Sequence, residues 1–138
     1  MSKYDQFATV MKDESLLVAA LQDLGHAVEV FKDGTQLRGY WTDAQVSEPV
    51  HIVIRAATLA GSYTSDIGFT RLADGTYRAH VNDMDLRQYG SAWLGRVQQK
   101  YKERATIQMA QKKGYVFRGR QVITTERGEQ VKLLFGTR

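Results

Sequence analysis

Apolar residues return at helical spacing over residues 13–24, where Leu16, Leu17, Ala20, Leu21 and Leu24 form one stripe. Asp13 is placed to cap this helix and Gly25 to stop it. Just upstream, Phe7, Thr9 and Met11 alternate with polar neighbours, which predicts a strand leading into the helix. Ala27 to Phe31 reads as a strand, Lys32-Asp33-Gly34-Thr35 as a hairpin turn that uses the positive φ open to Asp-Gly, and Leu37 to Trp41 as the return strand. Val50-His51-Ile52-Val53-Ile54-Arg55 is β-branched and follows Pro49, so it predicts a strand start, and Gly61 to Ser65 predicts a loop. Asp66 to Thr70 and Thr76 to Val81 pair around Ala73-Asp74-Gly75. Asn82 to Gly90 is polar and irregular. A long helix spans about Ser91 to Lys113 with Gly114 at its end, and a last hairpin joins Tyr115–Thr124 to Gln130–Phe135 around Arg127-Gly128.

The order helix, glycine, strand, turn, strand therefore occurs at 13–41 and again at 91–135, with Gly25 and Gly114 in equivalent places. These elements predict an α+β protein in which two helices pack on one face of a mostly antiparallel sheet. A ferredoxin-like arrangement is compatible with that order. The 138 residues carry no Gly/Ser-rich or Pro-rich linker, so a single domain over 1–138 is expected.

Composition narrows the classes. The chain is 43% hydrophobic and 25% charged with one proline, as an ordinary globular domain is. The longest uncharged apolar run, Leu16 to Leu21, is far short of the ~20 residues that cross a bilayer, and Met1-Ser2-Lys3-Tyr4-Asp5 lacks the apolar core of a signal peptide. With no cysteine, disulfide scaffolds, thiol catalysis and zinc–thiolate sites are excluded, and a reducing, cytoplasmic setting without membrane attachment is expected. The net charge of +4 hides a gradient: residues 1–90 hold 8 Lys+Arg against 12 Asp+Glu, and residues 91–138 hold 11 against 3. A basic C-terminal third of this kind fits an anionic partner, or attraction between two faces or two protomers.

On the long helix, Leu94, Val97, Tyr101 and Ala105 share the stripe expected to be buried, while Arg96, Lys100 and Arg104 form a basic stripe beside Trp93. With Arg118 and Arg120, and with Lys102, Lys112 and Lys113 nearby in sequence, these cations suit phosphate contacts, and Trp93 or Tyr115 suits stacking on bases. The competing reading is a solvated helix face partly paired through Glu103. His51 and His80 each alternate against apolar strand neighbours. If their strands adjoined, the two imidazoles would meet, with Asp66 or Asp83 completing a metal site or an acid–base pair, whereas solvent-facing strand positions are the plainer reading. His26 follows a helix stop and is expected simply to sit there. Asn82-Asp83-Met84-Asp85 lacks the glycine and terminal glutamate of a calcium loop and reads as an approach to the helix. No phosphate-binding loop or nucleophile elbow occurs, Ser62, Ser65 and Ser91 included, and Tyr40-Trp41 reads either as a contact pair or as core.

Several short motifs in this order carry a resemblance. They are Leu21-Gln22-Asp23-Leu24-Gly25, Ile52-Val53-Ile54-Arg55, Asp66-Ile67-Gly68-Phe69, and Asp74-Gly75-Thr76-Tyr77 with Val81 and Asp83. Val97-Gln98-Gln99-Lys100-Tyr101 and Ala110-Gln111-Lys112-Lys113-Gly114-Tyr115 complete it. The chain resembles the family known as hypothetical chloroplast frame thirty-five, or domain of unknown function 1257, of cyanobacteria, plastids, some other bacteria and their phages. It departs from that pattern at Asn82–Tyr89, which lacks a tryptophan, and at Phe135-Gly136-Thr137-Arg138, which lacks an aromatic finish; this points to a diverged cyanobacterial or phage-type member. The resemblance implies no activity or cofactor. It implies a compact cytosolic protein, stromal if plastid-encoded and in the host cytoplasm if phage-borne, and it associates members with AAA-type ATPases as candidate partners.

The expectation is thus a non-enzymatic binding or adaptor protein, with no catalytic residue, metal or cofactor, that acts through a protein partner. The alternative is a nucleic-acid-binding protein that uses Arg96, Lys100, Arg104, Arg118, Arg120 and Trp93.

Overall fold

A computed structural model of the chain describes residues 3–39, 46–59 and 65–137. In chain order the elements are β1 (Tyr4–Ala8), α1 (Glu14–Asp23), β2 (Glu29–Thr35), β3 (Val50–Ile54), β4 (Ile67–Arg71) and β5 (Tyr77–Asn82). They continue with α2 (Leu86–Tyr89), α3 (Ser91–Lys112), β6 (Tyr115–Thr125) and β7 (Gly128–Thr137). The chain divides into two compact units, Met1–Tyr101 and Lys102–Arg138, and the division falls within α3. Among the described residues β6 and β7 pair only with each other, in a two-stranded sheet separate from that of the first unit.

The first unit is built on a five-stranded sheet of order β1-β5-β4-β3-β2, with every adjacent pair antiparallel. This is α+β, as the pattern predicts. It is not ferredoxin-like, since a split β-α-β unit needs a parallel pair and this sheet has none among its described strands. The strands β2 to β5 run as a meander, and α1 carries the chain across the sheet from β1 at one edge to β2 at the other.

Local chemistry explains the start and stop of α1. Asp13 accepts a hydrogen bond from the Leu16 amide at 3.0 Å, which satisfies an otherwise orphaned donor. At the other end the His26 amide reaches the Leu21 carbonyl and the Gly25 amide reaches that of Gln22, a Schellman closure made possible by Gly25 at φ 88°. The apolar stripe then buries Leu17, Ala20 and Leu21 against Ile52, Ile54, Ile67, Phe69, Tyr77, Ala79 and Val81 of the sheet. Trp93, Leu94 and Val97 of α3 cover the same face, so the two predicted helices do share it. The Tyr101 hydroxyl accepts from the amides of both Lys12 and Asp13, tying α3 to the approach of α1.

The opposite face is also covered. Leu37, Val46, Val50 and Val53 form a second cluster, and Leu37 and Val50 press directly on Gly68. Here the predicted Lys32–Thr35 turn fails. β2 runs straight through it, and Val30 pairs Ile52 while Thr35 pairs Val50, so residues 31–34 stand opposite His51 alone in a wide bulge. Gly34, at φ 88°, lies against Pro49, where a Cβ would come within 2.4 Å of the Pro49 Cβ. The Asp-Gly pair thus serves a bulge and a close contact instead of a hairpin, and residues 37–39 form no return strand. Tyr40-Trp41 and the loop predicted at Gly61–Thr64 lie outside the described residues.

Buried polar groups on this face are paired through one network, except that His80 Nδ1 meets no partner among the described residues. The Thr70 hydroxyl donates to the Pro49 carbonyl, so its oxygen accepts from His80 Nε2 at 2.9 Å, and Glu48 accepts from the same nitrogen at 3.0 Å. Arg78 in turn donates to both Glu48 oxygens at 3.1 Å. His80 is fully buried, which corrects the solvent-facing reading, and burial above all lowers its proton affinity below that of a free imidazole, with Arg78 adding to the effect and Glu48 opposing it. His26 is lowered by burial too.

Two outcomes follow from this packing. Gly68→Ala places a methyl group 2.4 Å from Val50 Cγ1, so denaturant titration should show a loss of about 1–3 kcal/mol. A histidine with a lowered folded pKa leaves the unfolded chain binding more protons, so stability falls as pH drops below the unfolded value of about 6.5. The melting temperature should therefore fall between pH 7.5 and 5.5, and His80→Gln should shrink that drop; an unchanged drop in the variant would remove His80 as its source.

Candidate functional site

The second unit joins the C-terminal half of α3 to the β6–β7 hairpin. Gly114, at φ 91°, ends the helix as predicted, and the strands pair from Tyr115–Thr137 to Thr125–Gly128 with a bulge at Arg118-Gly119. Register places Tyr115, Phe117, Arg120, Val122, Val131, Leu133 and Phe135 on one face of the hairpin. The Phe117 and Phe135 rings pack at 5.8 Å between centroids. Arg120 reaches back to Glu103 on α3, and this ion pair raises the affinity of Arg120 for its proton.

No apolar side chain of this unit is fully buried among its described residues; Glu103 alone is. Met109, Tyr115, Val122 and Leu134 are 40–59% exposed, and Leu134 stands out because its cross-strand partner, Gly119, has no side chain to cover it. Between helix and hairpin a groove of about 280 Å³ is lined by Thr106, Met109, Ala110, Lys113, Tyr115 and Phe135. Lys102, Arg104, Lys112, Lys113, Arg118, Arg127 and Lys132 are exposed in the same unit. Its sequence holds 9 Lys+Arg against 3 Asp+Glu, a balance of +6. The arrangement is a cationic surface interleaved with uncovered apolar side chains.

The predicted contact residues divide between the units. Arg96 and Lys100 belong to the first, Arg104, Arg118 and Arg120 to the second. Arg118 donates to the Thr137 carbonyl, and Arg120 is held by Glu103. Trp93 is not available for stacking: it is 3% exposed, packs against Tyr89 and His26, and donates its indole N–H to His26 Nε2 at 3.0 Å. Its place next to the basic stripe in sequence puts it on the buried side of α3, and it gives His26 a role in the core that a mere helix terminus would not have.

The histidine pair is not assembled. β4 lies between β3 and β5, and the bulge turns His51 toward Arg71 and Tyr77 while His80 faces Thr70 and Glu48. Asp66 is occupied elsewhere: its carboxylate accepts from the Arg38 amide, Arg55 Nη1 and the Ala56 amide at 2.8–2.9 Å. The carboxylates of the Asn82–Asp85 segment diverge, since Asp83 accepts from the Lys3 amide and Asp85 from that of Ser65. Burial raises the Asp85 pKa. Among the described residues no group of three acidic or histidine side chains is placed to hold a metal ion, and no helix is long and apolar enough to cross a membrane.

The model of one family, described as Protein of unknown function (DUF1257), matches residues 20–130. The chain belongs to the DUF1257 family. The matched span includes the sheet from β2 onward, α3 and β6, so both units contribute to the DUF1257 pattern. No curated protein and no solved structure matches the chain.

The uncovered apolar set of the DUF1257 hairpin was missed in the sequence, where only its cations stood out. The alternation of Val131, Leu133 and Phe135 marks a buried face, but nothing linear reveals that the unit is too small to cover it. Arg120→Ala leaves the buried Glu103 carboxylate without its partner. Hydrogen–deuterium exchange should then accelerate across β6 and β7, and more than in Arg118→Ala.

Proposed function

We propose that this DUF1257 protein is a non-enzymatic binding module that docks a protein partner through its 102–137 unit. The observation that carries this reading is the unit's uncovered apolar side chains, Met109, Tyr115, Val122 and Leu134, set among cations. Uncovered apolar side chains among charges suit a protein interface, and the positive balance selects an acidic partner surface. The family association makes an AAA-type ATPase the first partner to try. A compartment that keeps thiols reduced, such as the cytoplasm, is consistent with a chain that uses no cysteine.

The same cations support a second reading, phosphate contacts with RNA or DNA. Nucleic-acid binding would be carried by the cations, with Tyr115 left to stack on bases, would fall steeply with salt, and would not depend on Leu134.

The test is affinity capture on the full-length protein with nuclease-treated lysate, repeated with Leu134→Glu and Val122→Glu. The expected result is a nuclease-resistant partner whose affinity drops by about tenfold or more with at least one variant, which identifies the face that docks. Both side chains lie outside the buried core, so the variants should keep the parent melting temperature. Capture that disappears with nuclease, or that ignores both substitutions, favours the nucleic-acid reading and ends this one.

A further inference from the structure

The wide bulge of β2 opens a cavity in the first unit. About 300 Å³ in volume, it is lined by Glu14, Val30, Phe31, Lys32, His51, Arg71 and Tyr77. β-bulges re-aim side chains and recur beside binding sites. Here four residues of β2 stand against His51, bringing Val30, Phe31 and Lys32 to the rim.

The polar groups of this cavity are mostly donors, and two of them, His51 and Arg71, are held in place by hydrogen bonds. His51 Nδ1 accepts from the Arg71 amide at 3.0 Å, so the neutral ring carries its proton on Nε2 and presents a donor there. Arg71 lies over the Tyr77 ring at 5.7 Å from the centroid and donates to the Tyr77 hydroxyl at 3.2 and 3.3 Å. Its Nη1 meets no acceptor among the described residues. Lys32 adds an exposed ammonium group with no ion-pair partner among them. Against these stands one carboxylate, Glu14, 3.4 Å from Arg71 Nη2 in a solvent-exposed pair. Such a pair is weak and readily exchanged for a better acceptor. Val30 and Phe31 supply an apolar wall, while Tyr77 is buried beneath Arg71 and holds it in place.

We propose that this cavity binds a small organic oxyanion, a carboxylate or a phosphate monoester, with its charged head between Lys32, Arg71 and His51 Nε2 and its apolar end on Val30 and Phe31. The head displaces Glu14 from Arg71 and takes over a bidentate-capable guanidinium. This site is independent of the partner surface on the 102–137 unit.

The experiment is an NMR titration of the ¹⁵N-labelled full-length protein with benzoate, phenyl phosphate and neutral benzamide. Benzoate or phenyl phosphate should give saturable shifts at the His51, Arg71 and Tyr77 amides, and the tighter of the two identifies the preferred head group. Benzamide should not saturate. Lys32→Gln should weaken binding by roughly two- to fivefold, and Glu14→Gln should strengthen it by a similar factor, which a merely damaged fold would not do. No saturation by about 10 mM, an equal response to benzamide, or Glu14→Gln without effect overturns the proposal.

Discussion

The carboxylate of Asp66 is the constraint on which the first unit depends. It is 3% exposed, and a buried charge of this kind persists only when its hydrogen-bonding capacity is met. Three donors meet it, from the segment after β2, the end of β3 and the turn that follows, while the Tyr4 hydroxyl of β1 donates to the Asp66 carbonyl at 2.8 Å. Arg55 extends the network to Glu29 at 2.8 Å and stacks over Phe31 of β2. One residue thus fixes the mutual position of both outer strands and of the segment that seals the second face. Loss of a single partner would leave the charge buried, and such losses cost about 3–5 kcal/mol.

The two units solve the problem of stability differently. The first buries apolar residues on both faces of its sheet. The second has a helix half, a hairpin and one ion pair with its carboxylate buried, and a segment of under about 40 residues rarely encloses a core by itself. Its aromatic pair and its register hold its shape, and the apolar side chains that no core receives remain at the surface.

Much of this was legible in the linear pattern. Asp13 and Gly25 bound α1, Asp74-Gly75 turns β4 into β5, and Gly114 separates α3 from the last hairpin; each acts through its immediate neighbours, so local reasoning reaches it. Asp33-Gly34 shows the limit. Its torsional freedom was read rightly, but whether that freedom makes a turn or a bulge is decided by Pro49, a residue distant in sequence. The bulge also reverses the alternation in β3, sending His51 and His80 to different surroundings, and strand order separates them further. Trp93 shows a related failure, because the side of α3 that is buried is set by what the helix packs on. The acceptor role of His51 Nδ1 depends on a backbone amide twenty residues away and leaves no trace in spacing.

The crossing of α1 from β1 to β2 has a consequence for how the chain assembles. The meander β3–β4–β5 is contiguous in the chain, whereas both strands that flank it come from residues 4–35. Until that leading segment docks, the meander carries two open edges of unpaired backbone groups, the template on which strands of other molecules add. One segment therefore shields both sides at once. During synthesis it leaves the ribosome first and must wait for the strands it will flank, so the interval between their pairing and its docking is the period in which a nascent chain is most exposed to self-association.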